Sequence, residues 1–229
     1  MIWRKVLAER MAAVQGRIAA AARISGRDPS CVTLVAVTKS TTIEVAQAVC
    51  ELGVADLGES KPQELWKKAA ALPAARWHLI GHLQRNKLDR TVPLVRLVHS
   101  VDSPRLLEAL DAFGTKCGTP APILLEVNCS REASKGGCSP EDLPTLGDRI
   151  RSLKGVELLG LMTMAAFSEN PETARPTFAE LRSLRDSLRA STGLPLPHLS
   201  MGMSADYAVA VEEGATHVRI GTTLFEGIG

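Results

Sequence analysis

Apolar residues recur at steps of four and three at Trp3, Leu7, Met11, Val14 and Ile18, which sets them on one face of an amino-terminal helix ending before Ser25-Gly26. After it the pattern changes to short apolar runs, each followed by a polar turn and a helical stretch. Runs near 32–38, 54–58, 76–81, 96–100, 122–128, 156–163, 196–200 and 216–220 predict eight strands. Thr41-x-x-Glu44 and Ser60-x-x-Gln63 read as capping boxes. Ser103-Pro104, Ser139-Pro140 and Asn170-Pro171 each place a cap residue before a first-turn proline. Gly53 and Gly214 stand where helix ends need a left-handed residue. Several runs are almost continuously apolar, as parallel strands covered on both faces are. Eight β-then-α units with no linker or composition shift predict an α/β protein: a single (β/α)8 TIM barrel with an extra N-terminal helix, residues 1–229 forming one domain. An open doubly wound sheet is the alternative, and the count of eight favours the barrel.

Composition narrows the function more than the fold. With 45% hydrophobic residues and 27 Lys plus Arg against 25 Asp plus Glu, the net charge of +2 supplies no field for gripping a nucleic-acid backbone, so an anion must be held locally. The five cysteines show no CxxC or CxxH spacing, which points to neither a disulfide framework nor a zinc site and favours a reducing, cytoplasmic setting. The first residues carry no signal-peptide core, and no apolar stretch suits a membrane span.

In such a barrel the chemistry sits after the carboxyl ends of the strands. Lys39 follows the first run directly; partial burial there would free its amine for Schiff-base formation, and an equally good reading is a rim lysine paired with an acid such as Glu59. The seventh run leads through Ser200 into Met201-Gly202-Met203-Ser204, and the eighth, through Arg219, into Gly221-Thr222-Thr223. Both turns offer small residues and free N–H groups at a helix start, suited to a phosphate, although Ser204 and Thr222 could be caps and nothing more. His82 and Gln84 are weaker rim candidates. His78, His99, His198 and His217 lie within apolar runs without metal-ligand spacing and read as satisfied interior histidines. Cys129, with no evident His partner, reads as a buried small residue, and Ser134 to Gly137 form part of a polar loop after the fifth strand. The arginines of 175–189 read as a solvated face opposite Phe178, Leu181, Leu184 and Leu188.

The segments VAVTKS (35–40), LGES..QE (57–64), WHLIGHLQRNKL (77–88), HSVDS (99–103), EVNCSREASKGG (126–137), GLMTM (160–164), LSMGMSADY (199–207) and VRIGTTLFEG (218–227) together resemble the pyridoxal phosphate homeostasis proteins, which have a barrel like the amino-terminal domain of alanine racemase. The resemblance implies that Lys39 carries pyridoxal 5′-phosphate (PLP) as an internal aldimine. It also implies that Ser200, Ser204, Gly221 and Thr222 fall in the phosphate-holding segments and that Arg219 lies beside the pyridine nitrogen. A cation there disfavours ring protonation and weakens the electron sink. Ser60-Lys61 stand where the family pattern has Asn-Tyr, which puts any cofactor contact by the asparagine in doubt.

A racemase needs a second acid/base opposite the lysine, in the related enzymes a tyrosine from another domain. The only tyrosine here is Tyr207, beside the expected phosphate site, and no second domain is expected after Gly229. The expectation is therefore a cytoplasmic, monomeric PLP-binding protein of vitamin B6 homeostasis, without efficient catalysis, delivering PLP to apo-enzymes and binding neither nucleic acid nor membrane. The alternatives are a PLP-dependent amino-acid racemase and, from the barrel alone, a Schiff-base aldolase.

Overall fold

In a computed structural model, which describes residues 2–132 and 135–228, the alternation closes into a barrel. Ser134 of the polar loop lies outside the described residues. The strands are β1 (Thr33–Val37), β2 (Asp56–Glu59), β3 (Arg76–Leu79), β4 (Val95–Val101), β5 (Ala121–Glu126), β6 (Val156–Met162), β7 (His198–Ser200) and β8 (His217–Ile220). Each pairs in parallel with the next in chain order, and β8 returns to β1 through Val35 opposite Arg219 and Ala36 opposite Ile220. All eight expected runs are strands, which excludes the open sheet.

The helices are α1 (Ile2–Ile24), α2 (Ile43–Glu51), α3 (Pro62–Ala71), α4 (Leu88–Thr91), α5 (Pro104–Cys117), α6 (Leu143–Ile150), α7 (Arg175–Thr192), α8 (Tyr207–Glu212) and α9 (Thr222–Phe225). Leu7, Met11, Val14 and Ile18 of α1 are buried as their spacing requires, and α1 packs on α8 and α9. Burying each such side chain contributes about 1.5–3 kcal/mol. On α7, Phe178, Leu181 and Leu188 are buried, while Arg175 reaches Glu212 (2.6 Å) and Glu213 (3.0 Å) of α8 and its end.

Two caps differ from the sequence expectation. Thr42, not Thr41, accepts from the Val45 N–H, because the helix starts at Ile43 and the Thr41 hydroxyl donates instead to the Thr38 carbonyl. The Ser60 box does not form: Pro62 opens α3 with Lys61 at its cap position and no side-chain acceptor, since proline's fixed φ already suits the first helical position. Ser103, Ser139 and Asn170 cap as expected, the last two on short 3₁₀ turns that lead into α6 and α7, and Gly53 and Gly214 have positive φ.

The main core lies between strands and helices. A separate apolar cluster, Leu97, Leu124 and Met162, joined by Leu159 and Met164, comes from neighbouring β4, β5 and β6. The strands also contribute buried polar residues, Asp56, His78, His99, Glu126, Ser200, His217 and Arg219 among them.

Candidate functional site

Beyond β1 the chain is held by a buried ion pair. Thr38 is fully buried; its N–H donates to the Gly58 carbonyl (3.0 Å) and its hydroxyl to Glu59 Oε1 (2.7 Å). Lys68 of α3 is buried too, its Nζ donating to the same Glu59 oxygen (2.7 Å) and to the Thr38 carbonyl (2.6 Å). Glu59 is thus paired with Lys68, and the pairing with Lys39 weighed from the sequence does not form. Lys39 follows this fixed point and is exposed, not partly buried as expected; among the described residues its side chain has no hydrogen bond or ion pair. Its backbone is anchored from below while its amine stays uncommitted.

The turns after β7 and β8 meet beside β1. Gly202 has φ +92, and a Cβ on it would lie 2.5 Å from Ala210 Cβ and 3.0 Å from Tyr207 Cα, so α8 can approach this turn only over glycine. Its carbonyl accepts the Arg219 N–H at 3.0 Å. Ser204 Oγ accepts from the N–H groups of both Gly221 and Thr223, each at 3.3 Å. These are long N–H···O bonds, so two donors converge on an oxygen they hold weakly. Gly221 lies against β1, where a Cβ would stand 3.4 Å from Val37 Cβ. Thr222 is exposed at the first position of α9. The structure therefore brings Ser204, Gly221 and Thr222 together beside the strand that carries Lys39.

Ser200 is elsewhere. It is fully buried, accepts from Arg219 Nη1 at 2.5 Å and stands 2.8 Å from His99 Nδ1, inside the barrel and not with Ser204. His99 is on β4 and Ser200 on β7, so they can meet only across the interior. Arg219 also donates to the Thr163 carbonyl at 3.0 Å. From His99 the contacts continue to His78 Nδ1 (2.9 Å) and from His78 Nε2 to Asp56 Oδ1 (2.9 Å), where Arg76 binds the carboxylate. Burial pulls the Arg219 guanidinium down to about 10, with Glu126 and Asp206 opposing the shift, so it remains a cation at neutral pH. Burial raises both of those carboxyls.

Sequence reasoning missed Thr163, which acts through its carbonyl, and the roles of Asp56, His78 and His99, whose alignment depends on the register across strands. The other candidates fall as weighed. Cys129 is buried and its thiol pushed up to about 12 by that burial, which leaves it inert. His82 is exposed, 2.9 Å from Asp102. Tyr207 is buried at the start of α8. A cavity of about 830 Å³ opens at the opposite mouth, at the amino ends of the strands, with Asp56, His78, His198 and His217 in its lining. Among the described residues no helix is long and apolar enough to cross a membrane.

Comparison with known proteins places this geometry among relatives. The family model for the alanine racemase N-terminal domain matches residues 10–227. The chain is 42% identical over 219 residues to the pyridoxal phosphate homeostasis protein of Aquifex aeolicus, covering 95% of this chain and 96% of that one. It is 40% identical over 221 residues to the protein of the same name from Pseudomonas aeruginosa, covering 96% and 94%. The structure of PipY from Synechococcus elongatus with PLP bound superposes with a TM-score of 0.83 at 33% identity, covering 96% of this chain and 99% of that one.

Proposed function

Since the chain belongs to the pyridoxal phosphate homeostasis protein family, with the alanine racemase N-terminal barrel, we propose that it binds PLP at the carboxyl mouth of that barrel and serves to hold and deliver the cofactor. The observation that carries this reading is the convergence of three strand ends: the free amine of Lys39 after β1, and the weakly held N–H pair of Gly221 and Thr223 after β8, over Ser204 after β7. The aldehyde of PLP would supply a Schiff-base linkage to Lys39. Lys39 suits that role because its ammonium is not tied to a carboxylate, whereas Lys68 is locked on Glu59 and Lys135 on the carbonyls of Met164 and Ala165. Ser204, Gly221 and Thr222 would receive the phosphate, whose oxygens match the converging N–H groups better than a serine hydroxyl does. Arg219 would face the ring as a fixed cation.

In this reading Ser200 acts through Arg219, as its acceptor. The protein is a cytosolic monomer that passes PLP to apo-enzymes and turns over no substrate efficiently. Tyr207, the single tyrosine, is buried against Gly202, so it is no acid/base for the second face of a substrate carbon. The test is incubation of the PLP-loaded protein with L-alanine, with chiral analysis of the product over time. The reading expects no racemisation above a slow background; efficient formation of D-alanine would replace it by the racemase.

A further inference from the structure

The buried polar residues that cross the barrel carry more than packing. Arg219 has only protons to give, so at 2.5 Å Ser200 Oγ accepts from it. The serine's own proton then lies toward His99 Nδ1. With Nδ1 accepting, a neutral His99 carries its proton on Nε2 and donates to His78 Nδ1. By the same step His78 donates from Nε2 to Asp56, whose carboxylate can only accept. One serine proton and one from each imidazole fill these bonds, with none left over. The row runs one way, from a buried cation to a carboxylate.

We propose that Asp56, His78 and His99 are positioning residues for Arg219: the direction of their hydrogen bonds keeps the Ser200 hydroxyl aimed at His99 and leaves its oxygen to accept the Arg219 guanidinium. The need for such a row is electrostatic. Both acceptors of the Arg219 guanidinium, Ser200 Oγ and the Thr163 carbonyl, are neutral, and a buried cation without a carboxylate in contact is costly. Aligned dipoles ending on Asp56 offset that cost. The groups facing His78 are Asp56 from β2, His99 from β4, His198 from β7 and His217 from β8, with Arg76 of its own strand joined to Asp56 and Arg96 at the cavity lining. The helix α3, packed on β3, commits its buried Lys68 to Glu59.

The inference rests on the proposed reading only for what occupies the carboxyl mouth; the row itself consists of the chain's own atoms. The test is ¹H–¹⁵N correlation of the histidine rings in the full chain without ligand at about pH 8, which distinguishes the two neutral imidazole tautomers. Both His78 and His99 are expected as Nε2–H tautomers. In Asp56→Asn the end of the row can donate as well as accept, and a second, Nδ1–H form of His99 is expected beside the first. If that variant does not fold, His78→Gln serves in its place, with the same second form of His99 expected because the glutamine amide can also give or take the bond. An Nδ1–H tautomer of His99 in the wild type, or an unmixed Nε2–H form in every variant, overturns the row. Failure to bind PLP with these tautomers in place would overturn only the ligand reading, and PLP bound with the wrong tautomers would overturn only the row.

Discussion

Gly221 and Thr222 stand where the last strand opens into α9, and their side chains separate two contributions to anion binding. Thr222 offers one hydroxyl, so Thr222→Ala should weaken PLP binding by about 1 kcal/mol, the size of one ordinary hydrogen bond. Gly221→Val should weaken it more, on the order of tenfold or above, which corresponds to about 1.4 kcal/mol. Its Cβ would already stand 3.4 Å from Val37, and the added branches must displace the turn that aims the N–H groups. Dissociation constants for PLP and for pyridoxal decide the matter: the loss should appear for the phosphate ester and hardly for pyridoxal. Equal affinity of the wild type for both ligands would remove the anion site from this turn. At this scale the sequence is informative where a residue's own chemistry is the signal, as with Lys39, Ser204 and Gly221. It does not show that Ser200, four positions from Ser204, is buried between Arg219 and His99, because those partners are set by the register of distant strands.

Between elements, backbone approach matters as much as apolar pattern. On α5, Gly114 lies so close to the segment before β6 that a Cβ would come within 1.9 Å of the Gly155 carbonyl oxygen. No rotamer relieves a clash with backbone, so Gly114→Ala should destabilise by about 1–3 kcal/mol or more, read as a fall in the urea midpoint with little change in slope. A midpoint within error of the wild type would mean that α5 can move off β6 without cost. The strands and the long helices were legible because hydrophobic period and cap residues agree along each of them. The Gly114–Gly155 contact was not, since it joins residues far apart in the chain. The shift from Thr41 to Thr42 was hidden for a local reason: two adjacent threonines offer the same oxygen, and the turn at Thr38 takes one of them.

The barrel as a whole buries a set of imidazoles that the unfolded chain would expose. Burial holds His99 well below its ordinary value and brings His217 down to about 3, in each case with neighbouring histidines adding to the shift. The unfolded chain therefore takes up protons below about pH 6.5 that the folded protein refuses, and stability must fall as the pH drops, by up to about 1.4 kcal/mol per unit for each such histidine. Burial alone would raise the Asp56 carboxyl, yet hydrogen bonds from His78 and Arg76 outweigh it and hold it low, so its share is lost below about pH 4. Urea unfolding should show the decline beginning near pH 6.5, flattened in His217→Gln; stability unchanged down to about pH 5 would contradict it. Whether this barrel carries PLP on Lys39 can be read by reducing the PLP-loaded protein with borohydride and mapping the modified peptide. One pyridoxyl group is expected, on Lys39, and none in Lys39→Ala, which should still retain some PLP through the phosphate. A label on Lys61 or Lys135, or an unlabelled wild type, would contradict it.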